Sequence, residues 1–119
     1  LSFHALIPYI CIITDRKFND MILIQINFGF PAEMMGEALV NGAKSLAESI
    51  NNESGFVSKI WIENTKTEES GGIYIFKDME SAQKYATMHT ERVKAMGATN
   101  IECKFFNINE PLSKINHGI

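Results

Sequence analysis

His89 is the residue of this 119-residue chain best suited to proton chemistry, because an imidazole titrates near neutral pH and can take a proton from a phenolic or enolic group. Arg92 follows three residues later, so the two share one side of any helix that contains them. A guanidinium there can hold an enolate or a carboxylate. Trp61 and Tyr74 fall in two neighbouring apolar runs and can form the aromatic wall of a pocket, with the Tyr74 hydroxyl as a polar handle. Each has a plainer reading: His89 as a core histidine bonded to backbone, Arg92 as a solvated helix residue, and Trp61 and Tyr74 as packing.

The elements that must position these residues can be read from periodicity. Phe56 to Glu63 and Gly72 to Phe76 are rich in β-branched and aromatic residues, and Asn64 to Gly71 between them is turn-like, so the pair reads as a β-hairpin. Before it, Ile22 to Phe28 alternates, with Ile22, Ile24, Ile26 and Phe28 on one side and Leu23, Gln25 and Asn27 on the other. Gly29, Phe30 and Pro31 end that strand, and Pro31 suits the first turn of a helix. The helix places Met35, Ala38, Leu39, Gly42, Leu46 and Ile50 on one stripe and stops at Gly55. After the hairpin, Asp78 is the expected N-cap of a second helix running to about Gly97. Its stripe is Ala82, Tyr85, Ala86, His89, Val93 and Met96, in which His89 is the clearly polar member. A last strand spans about Asn100 to Ile108, and Asn109 to Ile119 forms a tail that Pro111 keeps from further pairing. This order is the β-α-β-β-α-β pattern of a ferredoxin-like α+β domain: an antiparallel sheet with two helices on one face.

Length fits one domain, from residue 21 to residue 119. Net charge is −3 and the basic residues are dispersed, so nucleic acid is not an expected partner. Cys11 and Cys103 suggest neither a disulfide framework nor a metal site. No glycine-rich turn joins a strand to a helix, no flavin or nicotinamide motif appears, and three histidines do not supply a facial iron triad. No cofactor and no metal are expected. Leu1 to Asp20 is expected to be a disordered leader foreign to the fold, since Met21 opens directly into the first strand. Its apolar run, Ala5 to Ile13, is interrupted by Pro8 and is too short to span a bilayer, and Arg16 and Lys17 follow it rather than precede it as in a secretory signal. No membrane association is expected, and a cytoplasmic location is the default.

Two helices cover one side of a four-stranded sheet, yet the strands carry bulky apolar residues on both. Val57 and Trp61 oppose Phe56, Ile60 and Ile62, while Tyr74 and Phe76 oppose Ile73 and Ile75. Lys59, Glu63, Glu102 and Lys104 read as the solvated positions. An exposed apolar face marks an interface, so a homodimer is expected, with Trp61 or Phe76 near the contact.

From Met21 to Asn116 the chain resembles the YdhR-type putative monooxygenases of the dimeric α+β barrel superfamily. The resemblance rests on Leu46-Ala47-Glu48-Ser49-Ile50-Asn51, Gly55-Phe56, Gly71-Gly72-Ile73-Tyr74 with Phe76, His89-Thr90 with Arg92, and Asn109-Glu110-Pro111-Leu112-Ser113 with Ile115-Asn116. It implies two ferredoxin-like sheets pairing face to face into a barrel, and a cofactor-independent monooxygenase whose small, electron-rich aromatic substrate supplies the electrons. Relatives often carry Pro where this chain has Ser54, and His in the first strand where it has Asn27. His89, Tyr74 and Arg92 are then the expected catalytic residues, with His89 as base, and Trp61, Asn27 and Tyr85 the expected substrate contacts. The alternative is a non-catalytic dimeric module that binds a small apolar ligand.

Overall fold

The computed structural model describes residues 20–119, so the expectation for the leader falls, but for Asp20, outside the described residues. Strand β1 (Ile22–Gly29) is followed by helix α1 (Glu37–Ile50), strands β2 (Phe56–Asn64) and β3 (Glu69–Phe76), helix α2 (Met79–Ala95), strand β4 (Thr99–Asn107) and a short helix α3 (Glu110–Ile115). The four strands form one antiparallel sheet in the order β2-β3-β1-β4. That is the expected ferredoxin-like arrangement. No helix among the described residues is long and apolar enough to cross a membrane.

The alternation of β1 decides which face is covered. Ile22, Ile24 and Ile26 are fully buried, together with Tyr74 and Phe76 opposite them on β3. Full burial of each such side chain contributes roughly 1.5–3 kcal/mol. Ala82, Tyr85, Ala86 and Val93 of α2 close over this face, while Ile101, Cys103 and Phe105 of β4 pack against its edge. Helix α1 is more thinly seated, burying Ala43 and Ile50. Ala43, rather than the expected Gly42, is its inward small residue.

Four features depart from the sequence reading, three in the bounds of elements and one in a strand register. Pro31 leads into a 3-10 turn, Ala32–Met34, and α1 starts later because Gly36 has φ +62, off the helical path. Strand β3 begins at Glu69, earlier than its poor strand formers suggest, because Ser70 and Gly71 pair with Phe28 and Asn27 of β1. The loop is correspondingly tight, with the Asn64 carboxamide oxygen accepting from the N–H groups of Lys66 and Thr67. The tail after β4 is helical, since the Asn109 side chain accepts from Leu112 N–H and Pro111 falls where a missing donor is harmless.

The fourth difference changes faces. A register shift between Phe56 and Ser58 makes Val57 an extra residue in β2, which turns Phe56 to the same side as Trp61 instead of the opposite one. Phe56, Lys59 and Trp61 therefore face the helices together with Tyr74 and Phe76. Trp61 and Phe76 do not lie on the open side, contrary to the expectation that they flank an interface. The open face carries Leu23, Ile60, Ile62, Ile73, Ile75 and Phe106, as the registers of the four strands require.

Two glycines test this packing in opposite directions. A Cβ at Gly71 would run into the Ile26 carbonyl and the Asn27 backbone of the paired strand, so Gly71→Ala should lower unfolding free energy by roughly 1–3 kcal/mol. Gly42 sits in α1 with nothing near its Cβ position, so Gly42→Ala should raise it by about 0.5–1 kcal/mol. Urea unfolding of both variants checks the pair, and equal effects would contradict the packing described.

Candidate functional site

Helix α2 fixes the site. The Asp78 carboxylate accepts from Ser81 N–H at 2.8 Å, which caps the helix and sets its phase. Ala82, Tyr85, Ala86, His89 and Val93 then turn toward the sheet and are buried. Because the two alanines are small, the Tyr85 and His89 rings can lie flat against one another, with centroids 5.2 Å apart and planes at 20°. Tyr74 of β3 meets His89 edge-on at 5.8 Å and Tyr85 at 5.3 Å. Burial above all, and Tyr85 beside it, hold the Tyr74 hydroxyl well above the usual phenol range; burial raises Tyr85 as well. Both therefore remain neutral phenols. The Tyr85 hydroxyl is buried without a hydrogen-bond partner, close enough to Tyr74 and Arg92 to feel them.

Arg92 sets the tautomer of His89. Its Nε and Nη2 lie 3.3 Å and 3.0 Å from His89 Nδ1. A guanidinium has donors and no acceptor, so Nδ1 must accept and the ring proton must sit on Nε2. Burial, then Lys59, then Arg92 push the imidazole down to about 3. His89 is thus a neutral ring whose free edge is a donor. The nitrogen that would take up a proton already faces a cation, which does not favour the expected role as base.

Lys59 is the residue that sequence reasoning assigned to solvent. It pairs with Tyr74 across β2 and β3, and its Nζ lies 3.3 Å from the Trp61 ring centroid and 4.6 Å from that of Tyr74. Gly72 makes this possible, because a Cβ there would come within 2.7 Å of Lys59 Cε. Burial first, and the Arg92 charge second, bring the Lys59 amine down to about 7. The signal was present in the sequence: Lys59 is two residues from Trp61 in a strand and so shares its face.

Above these groups a cleft opens between α1 and the sheet. It spans about 460 Å³ out to its mouth and encloses a cavity of about 40 Å³, room for a few waters. Its floor is Lys59, Trp61, Ser70, Gly71, Tyr74 and His89, and Phe28, Phe30, Leu39, Ala43, Leu46, Val93 and Met96 make the rest apolar. Of the six residues expected from sequence, His89, Tyr74 and Trp61 line the cleft. Tyr85 packs on His89, and Arg92 acts from the side through Nδ1. Asn27 is not brought to this place. It lies on the open face of the sheet, where its Nδ2 donates to Glu102 Oε1 at 3.2 Å and its Oδ1 accepts from Gln25 Nε2 at 3.4 Å. Ser70, buried on the cleft floor, was not singled out from the sequence. No three His, Cys, Asp or Glu side chains converge as metal ligands would among the described residues.

Comparison with known proteins identifies a family. No curated protein matches the chain. The family model described as "Putative mono-oxygenase ydhR" matches residues 23–119, which takes in every element of the sheet apart from the first residue of β1, both covering helices and all the cleft residues named above. The chain therefore belongs to the ydhR family of putative mono-oxygenases.

Proposed function

We propose that this protein oxygenates small, electron-rich aromatic compounds in the cleft between α1 and the sheet, drawing the electrons from the substrate rather than from a bound cofactor. The observation that carries the reading is the neutral His89, held by Arg92 at the wall of an apolar cleft. Its Nε2–H is a fixed donor for a substrate oxygen, and the guanidinium on the other ring nitrogen strengthens that donor as charge develops. Apolar side chains around it keep water from competing. An ionised hydroquinone is rich enough in electrons to react with O2. The balanced reaction takes one hydroquinone and one O2 to a hydroxyquinone and water, one oxygen atom entering the ring and the other leaving as water. A ring exceeds the enclosed cavity of about 40 Å³, so substrate admission requires the side chains of Leu39 or Leu46 on α1, or of Met96 at the end of α2, to give way.

Family membership supports oxygenation at the level of the reaction, and the acid-free, nitrogen-rich floor of the cleft supports a substrate that binds as an anion. The open sheet face, with Ile60 64 % and Phe106 49 % exposed, supports a second proposal, that two copies pair through it. Light scattering should then find a dimer at micromolar concentration, and Ile73→Lys should give monomer or aggregate, because an unpaired charge would be buried.

Oxygen-electrode measurements with hydroquinones and polyphenols, on metal-stripped and flavin-free protein, test the main reading. His89→Ala should lower turnover about 10²–10³-fold, the usual effect of removing one oxyanion donor. His89→Gln, which keeps an N–H, should retain more activity than His89→Ala. Compounds that bind tightly without oxygen uptake would replace this reading with a ligand-binding one.

A stability measurement follows from the same histidine. Its folded value, about 3, lies below the ordinary 6.5 of the unfolded chain, so between those values the unfolded state binds the extra proton. The contribution of neutral His89 is present above pH 6.5 and is lost as pH falls toward 3. His89→Gln should therefore flatten the acid side of the stability curve, measured by urea unfolding at several pH values. An unchanged acid slope would contradict a buried neutral imidazole.

A further inference from the structure

We infer that Lys59 is the proton acceptor of this cleft: a neutral amine that takes the hydroxyl proton of a phenolic substrate and then stands as the ammonium partner of the phenolate. The O–H bond breaks, an N–H bond forms, phenol becomes phenolate and amine becomes ammonium, with no change of oxidation state. The assignment deepens the oxygenase reading by naming the group that ionises the substrate, and it rests on that reading for the subsequent reaction with O2.

Geometry singles out this lysine. Its stem crosses Gly72 and its Nζ is held against two aromatic faces at the floor of the cleft, so the amine is aimed where a planar ligand would lie. The two aromatic faces favour the ammonium modestly; burial first and the Arg92 charge second oppose them and outweigh them. The groups around it point the same way. On β3, Tyr74 is a neutral phenol. On α2, His89 is a neutral donor, Tyr85 is neutral, and Arg92 is a cation that repels a second one. On β2, Glu63 shares Lys59's face, but both its carboxylate oxygens accept from Gly36 N–H. Helix α1 sets Leu39, Ala43 and Leu46 over the cleft, while its Lys44 and Glu48 border a second groove that Lys59 and Trp61 also line. No salt bridge to Lys59 forms among the described residues. A desolvated lysine beside another cation is the usual means of keeping an amine basic but unprotonated near neutral pH. Its value of about 7 agrees with that arrangement. His89 cannot share the task, since its one free nitrogen lone pair is taken by Arg92.

The test needs no turnover. In protein carrying ¹³C-labelled lysine, the Lys59 signal, identified by its loss in Lys59→Arg, should titrate near pH 7, apart from the other lysines. With 3-nitrophenol added as the probe at pH 7, where about half of the amine is neutral and the free probe is mostly colourless, the Lys59 signal should move further toward the ammonium form. The yellow phenolate band should rise together with it, by about tenfold in the bound fraction for each unit by which the probe's pKa is lowered. Lys59→Met should abolish the phenolate band, whereas His89→Gln should leave Lys59 titrating well below the other lysines. A Lys59 signal that titrates with the other lysines, or that does not respond to the probe up to its solubility, overturns the assignment. If Lys59 behaves as expected and no phenol consumes oxygen, the oxygenase reading fails and the proton acceptor stands. If phenols are oxygenated by a protein whose Lys59 is ordinary, or Lys59→Met loses less than about tenfold in turnover against the 10²–10⁴ usual for a base, the reverse holds.

Discussion

Burial of one face of β1 is the constraint on which the rest of this structure depends. Ile22, Ile24 and Ile26 are completely excluded from water in the middle of the sheet, and a period of two leaves their neighbours Leu23, Gln25 and Asn27 on the other side. Slipping the register by one residue would exchange the two sets, so pairing with β3 and β4 is held by the apolar pattern itself. Helix α2 covers this face closely because Ala82 and Ala86 let it approach. Helix α1 covers it loosely, and the cleft is the space left by that unequal coverage.

Chemistry gathers on the same face because the close helix brings titratable groups onto the core. An imidazole, a guanidinium and an amine within reach of one another would repel if all were charged, and no salt bridge offsets them among the described residues. The fold relieves this by holding His89 neutral, through burial first. The cost of desolvating charge inside the cleft bears on Lys59 in the same direction. The result is a cleft floor able to donate to an anion, with a neighbouring amine able to create that anion. Neither property belongs to one residue. The donor edge of His89 depends on Arg92 occupying the Nδ1 side of the ring, and the lowered Lys59 amine depends on burial first and the Arg92 charge second.

The bulge at Val57 and the glycine at position 72 serve this arrangement from the sheet. Without the extra residue, Phe56 would fall on the open face and could not meet Phe76, which it now touches edge-on at 5.8 Å. Without the bare backbone at Gly72, the Lys59 stem could not cross to the Trp61 and Tyr74 rings. Backbone details of a residue or two thus set the side-chain geometry of the cleft, while leaving the β-α-β-β-α-β order untouched.

The order of elements, the N-cap at Asp78 and the inward stripe of α2 from Ala82 to Val93 were all legible in the sequence, because each depends on contacts between near neighbours in the chain or on a simple period, whereas α1 stops at Ile50 with Asn51 as its cap, ahead of the Gly55 stop. His89, Tyr74 and Trp61 could be nominated for the same reason: a polar or aromatic side chain at a core-facing period stands out. What the sequence left open were properties that need a partner from elsewhere in the chain. Strand β3 takes in Glu69 to Gly71 because β1 offers it hydrogen bonds, against local propensity. Asn27 parts from the other nominated residues because the sheet separates its two faces. Lys59, polar by type and so read as solvated, enters the cleft because Gly72 and Tyr74 lie across from it. The neutral state of His89 follows first from its burial, and its tautomer from two N–H groups of Arg92 meeting one ring nitrogen, a rotamer pairing that the three-residue spacing permits and that packing selects.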